Sequence, residues 1–166
     1  MNLRAIVAGI WRGFGPPAFA PTPADEQADL VEIFKRERRM ELKRGGRLLK
    51  QYRVALGFAP ERHKEREGDG RTPEGDYTID ARNPRSSFHL SLRVSYPAAN
   101  DRAHAEQLGV SPGGDIYVHG LPNGLRKFRT PHPRRDWTTG CIAVTDEEIR
   151  EVWSLVPTGV RVVIHP

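Results

Sequence analysis

The sequence predicts a mostly β (α+β) fold, built from short strands with one or two packed helices. The 166-residue chain contains 14 prolines and 16 glycines, which indicates many turns between short elements. Segments in which apolar and polar residues alternate, as they do in half-buried strands, recur between these turns. Helical patterns are few, and the length suits one domain with its own core.

The first half of the expected domain is predicted to be a meander of strands. Apolar and polar residues alternate in three segments that glycine-bearing turns separate. These strands are expected over residues 30–34, 40–43 and 48–56. Turn-forming residues dominate the next stretch, which predicts a loop over 58–75 and then a strand over 76–81.

The clearest alternation in the chain lies between Phe88 and Tyr96. Every second residue from His89 onward belongs to the polar face of this strand, and the apolar residues form the other face. His89 is therefore expected to lie where either a substrate groove or bulk water surrounds it. A short helix over 101–108, ended by Gly109, is expected next.

A further predicted strand ends with a histidine, in a position that suits a functional residue. In the segment Asp115–Gly120, Ile116 and Val118 are expected to face the core, and His119 the opposite side. His119 then ends a strand on a non-core face. The adjacent glycine permits another backbone to approach closely.

The end of the chain is predicted to be a helix and a strand. Thr145 is a good N-cap, and Glu148 completes a capping box three residues later. Apolar residues then recur with helical spacing, which indicates one buried stripe. They are Ile149, Val152, Trp153 and Val156. Pro157 ends the helix, and a buried strand is expected over 160–164.

The first 28 residues differ in composition from the rest of the chain. Proline and alanine dominate residues 15–28, which predicts a linker. Before it, a short apolar run leads to Ala18-Phe19-Ala20, so an atypical signal peptide and a disordered tail both fit the residues. We therefore expect a signal-like or disordered segment over 1–28 and a domain over 29–166. No stretch is apolar enough for a stable membrane span.

Charge and cysteine usage limit the classes of function. The net charge of +5 favours anionic partners, either nucleic acid or a carboxylate-rich polymer. Because aromatic residues do not interleave with the basic ones, no nucleic-acid partner is expected. A single cysteine excludes an intrachain disulfide and a cysteine-based zinc cage. Neither a metal nor a cofactor is expected.

The single cysteine, Cys141, is either a buried filler or a nucleophile. His119 is the best-placed imidazole to lower the pKa of its thiol, because the capped helix begins four residues further on. The backbone N–H groups of Thr139, Gly140 and Cys141 itself are expected to form an oxyanion hole. On residue chemistry alone, one cysteine and one distant histidine are a weak signal.

The connection between His119 and Thr138 has no apolar period over residues 121–137. A connection of this length is more often a lid or a binding loop than a plain connector, although a solvated face also fits. Its basic residues are Arg126, Lys127, Arg129, Arg134 and Arg135.

The chain resembles the L,D-transpeptidase catalytic domain family, also called the YkuD-type domain. The family signature is His-Gly, a spacer, Ser or Thr, any residue, Gly-Cys and an apolar residue. This sequence carries it as His119-Gly120, Thr138, Gly140-Cys141 and Ile142. Other blocks that resemble the family are Tyr52–Gly57, Gly68–Tyr77, Phe88–Pro97 with Asp101, Pro112–Gly114 and the final helix and strand. The resemblance covers residues 29–166.

The resemblance implies a YkuD-like β-sandwich or open barrel, and a role for each signature residue. Cys141 would be the nucleophile and His119 the proton carrier. The carbonyl of Gly120 would orient the imidazole, and Thr138 would hold the loop or bond within the site. With Thr139 and Gly140 these form the expected site. The candidate substrate-binding residues are His89, Arg126, Arg129 and Arg135.

The implied function is a cysteine-dependent L,D-transpeptidase of the periplasm or cell envelope, acting as a monomer on peptidoglycan tetrapeptide stems. It would release D-alanine through a thioester and form a cross-link. The sequence departs from the common pattern at Thr138, Thr139 and Ala143, where many relatives carry Ser, His and Arg. Two alternatives therefore stay open: a hydrolase with the same site, and a cell-wall-binding module in which Cys141 is inert.

Overall fold

The computed structural model describes residues 22–166, so most of the signal-like stretch expected over 1–28 lies outside the described residues. The described part contains two α-helices, α1 (Ala99–Leu108) and α2 (Asp146–Leu155), and a 3₁₀-helix, Gly124–Arg129. Its strands are β1 (Leu30–Phe34), β2 (Arg39–Arg44), β3 (Arg47–Arg53), β4 (Gly75–Ser86), β5 (His89–Val94), β6 (Tyr117–His119), β7 (Ile142–Ala143) and β8 (Arg161–His165).

The strands form one mixed sheet in the order β3-β2-β1-β8-β4-β5-β6-β7. The pairs β1–β8 and β6–β7 are parallel, and the other neighbours are antiparallel. The C-terminal strand β8 lies near the middle of the sheet, between β1 and β4. The fold therefore depends on pairing the end of the chain with its first strand.

The sheet curls because β4 takes part in both of its halves. The first residues of β4, 75–78, pair with β8, and its later residues pair with β5 across a register shift between Ile79 and Ala81. The two ends of the sheet then meet through two isolated bridges. These join Ala55 to Ala143 and Gly57 to Thr138. This curled sheet with two packed helices confirms the mostly β (α+β) prediction in its open-barrel form.

Helix α2 closes the core as the sequence predicts. The hydroxyl of Thr145 accepts the N–H of Glu148 at 3.2 Å, and the Glu148 carboxylate accepts the N–H of Thr145 at 2.8 Å. This capping box fixes the start of the helix. The side chains of Ile149 and Val152 are fully buried, while Trp153 lies at the edge of the core.

Several elements differ from their predicted bounds for identifiable reasons. Strand β4 continues to Ser86 because backbone pairing with β5 extends it, although its polar, exposed residues show no alternation. Strand β3 ends at Arg53, where the chain leaves β2 and crosses towards β7. The 3₁₀-helix Gly124–Arg129 lies within the predicted loop. Its two apolar side chains are exposed, so no buried stripe marks this helix in the sequence.

The end of the expected linker packs against the domain. Ala28 is buried, and its N–H donates to the carbonyl of Leu155 at 2.8 Å. Between residues 22 and 166, neither helix has the length and apolar character that crossing a membrane requires.

Two buried lysines hold the loop over 58–75. Lys64 donates to the Asp69 carboxylate at 2.8 Å, and three backbone N–H groups donate to the same carboxylate. Burial alone would raise the pKa of Asp69, but the Lys64 ammonium and the N–H groups outweigh it and lower the pKa to about 2. Lys35 donates to the carbonyl of Thr72 at 2.8 Å. The loop is therefore fastened to the folded domain.

Three glycines let three backbone segments touch beneath the turn that contains Cys141. A Cβ atom on Gly57 would lie 2.1 Å from the carbonyl oxygen of Gly70 and 3.1 Å from the Cα of Gly140. Gly140 itself has a φ of +144°, and a Cβ there would lie 2.9 Å from the carbonyl oxygen of Arg71. Only glycine fits such contacts without moving a backbone segment.

We expect Gly57→Ala to lower the free energy of unfolding by about 3 kcal/mol or more, because the methyl group would overlap a backbone oxygen. Thermal unfolding followed by circular dichroism measures the change. Gly114→Ala is the matched control, since nothing lies within 4 Å of a Cβ at that position. Equal unfolding midpoints for the two variants would contradict the proposed backbone contact.

Candidate active site

A groove of about 590 Å³ opens between the β4–β5 turn and the segment that contains Cys141. It brings together His119 from the end of β6, Cys141 from the turn before β7, and Arg126 from the 3₁₀-helix. Phe88 and Trp137 supply aromatic walls. The groove thus joins residues that are distant in sequence but adjacent across one end of the curled sheet.

His119 ends β6 and lines the groove, outside the hydrophobic core, as the alternation predicts, but it is only 3% exposed. The ring of Phe88 lies 4.4 Å from the imidazole, centroid to centroid, and that of Trp137 lies 5.8 Å away. Burial lowers the pKa of His119 to about 4, so the imidazole is neutral at pH 7. Burial at this position therefore favours the neutral form of the imidazole.

Gly120 fixes the orientation of the imidazole. The Nδ1 atom of His119 lies 2.7 Å from the carbonyl oxygen of Gly120. Because a carbonyl only accepts, Nδ1 carries the proton and Nε2 keeps a free lone pair. A Cβ on Gly120 would lie 2.7 Å from the Asp146 carboxylate and 3.0 Å from the carbonyl oxygen of Phe88. The position therefore requires glycine.

Cys141 is partly exposed, and its thiol donates to the carbonyl oxygen of Asp115 at 3.3 Å. Loss of water around the sulfur raises the pKa of Cys141 to about 11, and the Asp115 charge acts in the same direction. Among the residues described, no hydrogen bond joins the thiol to His119. The structure thus places the two side chains in one groove with the thiol protonated. It does not pair them directly.

Thr138 shapes the turn that presents the thiol. Its hydroxyl donates to the carbonyl of Cys141 at 2.7 Å and accepts the N–H of Gly140 at 3.2 Å. Of the three N–H groups expected to form an oxyanion hole, that of Gly140 already donates to the Thr138 hydroxyl. Within residues 22–166, the N–H groups of Thr139 and Cys141 donate to no other protein group.

The remaining predicted residues do not all reach the groove. Arg126 lines it, but Arg129 and Arg135 do not. His89 also lies outside the groove lining, and its Nε2 accepts a hydrogen bond from Nε of Arg150 in α2 at 3.1 Å.

Sequence reasoning missed eight residues that line the groove, among them Phe88, Asp115, Tyr117 and Trp137. Tyr117 shares the face of His119 in the alternating pattern, so the pattern gave a signal for it. Asp115 precedes β6 with a positive φ of 56°, and no pattern marks it. The alternation places Phe88 on the apolar face of its strand, but Phe88 lies in the β4–β5 turn and lines the groove. Trp137 comes from a loop, where no periodicity applies. Their positions depend on tertiary packing alone.

Both ends of the loop that carries Arg126 are fastened. At one end, the Asn123 amide donates to the carbonyl of Ser86 at 2.9 Å and accepts the N–H of His89 at 3.0 Å. At the other end, the Asp136 carboxylate accepts the N–H of Leu56 at 2.9 Å and pairs with Arg38. The groove wall is therefore anchored to two different parts of the sheet.

A sequence model described as "YkuD: L,D-transpeptidase catalytic domain" matches residues 28–164. The chain belongs to this family. Its membership identifies residues 28–164 as an L,D-transpeptidase catalytic domain.

Similar proteins agree with this membership. The Escherichia coli (strain K12) protein named "Putative L,D-transpeptidase YafK" is 30% identical over 145 residues, which cover 82% of this chain and 50% of that protein. The chain thus spans about half the length of the curated relatives it matches.

Solved structures share the fold of the L,D-transpeptidase domain at low sequence identity. The helical cell shape determining protein Pgp2 of Campylobacter jejuni has a TM-score of 0.63 at 21% identity, over 84% of this chain and 48% of that one. An L,D-transpeptidase of Xylanimonas cellulosilytica has a TM-score of 0.55 at 18% identity, over 89% and 65% of the two chains.

We expect alkylation of Cys141 by iodoacetamide to accelerate about tenfold per pH unit between pH 7 and pH 10, because a raised thiol pKa leaves little thiolate at neutral pH. Intact mass reports the reaction without ambiguity, since the chain has one cysteine. The control is the unfolded chain in denaturant, in which the alkylation rate should have its midpoint at about pH 8.5. A fast rate that is constant from pH 5 to pH 8 would instead reveal a thiolate–imidazolium pair.

Proposed function

We propose that the protein is a cysteine-dependent L,D-transpeptidase that acts on peptidoglycan tetrapeptide stems in the cell envelope through a thioester. The observation that carries this proposal is the neutral imidazole of His119, whose Nε2 lone pair is free in the same groove as the Cys141 thiol. A protonated thiol requires a neutral base that it can reach, and we assign this role to His119.

In the first step, the Cys141 side chain turns from the Asp115 carbonyl towards the substrate and gives its proton to Nε2 of His119. The sulfur attacks the carbonyl carbon of the diamino acid that precedes the terminal D-alanine. When the C–N bond breaks, the imidazolium returns the proton to the leaving amine. The products are free D-alanine and a thioester on Cys141.

The developing oxyanion needs hydrogen-bond donors near the sulfur. In this proposal the N–H groups of Thr139 and Cys141 donate to the oxyanion, because they have no other partner among the described residues. The N–H of Gly140 already donates to the hydroxyl of Thr138. The bond from Thr138 to the Cys141 carbonyl keeps the turn in this shape. Donors fixed before the reaction stabilise charge without reorganising.

In the second step, an amine displaces the thiol. His119 takes a proton from the attacking amine, the new amide bond forms, and the thiolate leaves and is reprotonated. The groove is open to solvent, which favours a second candidate with the same site: water replaces the amine and the stem is only trimmed. In the third hypothesis, a wall-binding module, the thiol would take no part.

The charges of the groove suit a zwitterionic substrate. Arg126 and Asp115 both line it, and no ion pair among the described residues neutralises either of them. We assign Arg126 to a stem carboxylate and Asp115 to an ammonium group of the diamino acid. Arg129 and Arg135 lie outside the groove lining and have no assigned contact.

Replacing Cys141 with Ala is expected to abolish D-alanine release from a tetrapeptide stem while leaving the unfolding midpoint within a few degrees, because the residue is partly exposed. Mass spectrometry of the products measures release and any cross-linked dimer. Dimers from the natural sequence support the transpeptidase, and trimmed tripeptide alone supports the hydrolase. Undiminished release by the variant would disprove the assignment of Cys141.

We also expect Arg126→Gln to raise KM for the tetrapeptide about tenfold with little change in kcat, because it removes a charged contact to the bound carboxylate. Initial rates across substrate concentration measure the two parameters. Arg134→Gln is the matched control, since Arg134 is an exposed arginine of the same loop outside the groove lining. An equal change in both variants would show a general charge effect and not a contact.

A further inference from the structure

The 3₁₀-helix Gly124–Arg129 exposes two large apolar side chains at the tip of the loop. Leu125 is 81% exposed and Phe128 is 77% exposed. A 3₁₀-helix has three residues per turn, so side chains three positions apart lie on the same edge. Leu125 and Phe128 therefore form one apolar edge, which we call the apolar tip.

Cations share this loop with the apolar tip. Five of them are exposed in this loop, and none forms an ion pair within the described part of the chain. They are Arg126, Lys127, Arg129, Arg134 and Arg135. The loop's single acid, Asp136, is already paired with Arg38 at 2.8 Å. The surface is thus strongly positive around an apolar centre.

The protein holds this surface in a fixed position. Asn123 bonds the start of the loop to the β4–β5 turn, and Asp136 bonds its end to the segment after β3. Arg126, between Leu125 and Phe128 in sequence, lines the groove that contains Cys141. The apolar tip therefore projects beside the mouth of the groove.

We propose that this loop docks the protein onto a lipid bilayer that carries anionic headgroups. Leu125 and Phe128 enter the boundary between headgroups and acyl chains, and the surrounding cations contact lipid phosphates. Charge complementarity selects this partner. A second copy of the chain would bring two cationic loops together, and an anionic wall polymer offers no apolar phase for the tip.

Docking would hold the groove against the bilayer surface. Substrates would then be stem peptides that lie close to a membrane, and distant ones would be reached less often. The contact uses no atom of Cys141 or His119, and Arg126 is the one residue that it shares with the proposed substrate groove. Cys141→Ala should bind vesicles as the natural sequence does, and this separates failure of docking from failure of the enzymatic proposal.

Co-sedimentation of the full chain with vesicles tests the proposal. We expect binding to phosphatidylcholine vesicles that contain phosphatidylglycerol, weakening as salt rises, and little binding to pure phosphatidylcholine. Leu125→Ser with Phe128→Ser should weaken binding about tenfold or more, because no apolar side chain then enters the bilayer. Lys127→Gln with Arg129→Gln should weaken it about fivefold for each lost cation.

Matched double variants elsewhere provide the controls. Leu48→Ser with Leu108→Ser removes two exposed leucines, and Arg47→Gln with Arg53→Gln removes two exposed arginines. Both should change vesicle binding less than twofold. The proposal is overturned if controls and tip variants lose affinity equally, or if the natural sequence ignores anionic vesicles. It also fails if only purified peptidoglycan is bound and loss of the apolar tip leaves that binding intact.

Discussion

Close backbone contact at Gly57, Gly70 and Gly140 is the constraint on which the groove depends. Through this contact the segment after β3, the loop over 58–75 and the turn that presents the thiol occupy one small volume. A side chain at the first of these positions would separate them, and the two ends of the sheet would no longer meet. The buried Lys64–Asp69 pair keeps the middle segment folded against its neighbours. The chemistry of the groove thus rests on a contact between backbones.

Burial sets the resting charges of the two groups at the centre of the groove. The aromatic cover disfavours imidazolium at His119, and loss of water disfavours thiolate at Cys141. Two neutral groups cost less to bury than two charges whose geometry does not pair them. Under the proposed function, charge separates only when a substrate fills the groove and its carbonyl accepts the sulfur. When the groove holds no substrate, the protonated thiol is therefore only weakly reactive towards the surrounding water.

Much of the fold was predictable from the sequence because apolar residues that are buried on one face of a strand or a helix recur with the period of that element. The alternation at β1, β2 and β5, and the stripe and capping box of α2, all predict elements that the structure contains. The polar half of β4 was not predictable, since its order comes from backbone pairing alone. In the groove, the family signature identified His119 and Cys141. The aromatic cover over the imidazole and the bond between the thiol and a backbone carbonyl come from loops, where position depends on packing between distant segments.

Because the loop is anchored at Asn123 and Asp136, the length of the chain between these two residues does not affect the shape of the sheet. Each anchor bonds to the sheet or to the segment that follows it, so residues 124–135 can vary without displacing the strands on either side. The spacer between the histidine and the cysteine of the family signature can therefore change in sequence and length. His119 and Cys141 would keep their places in the groove through such a change.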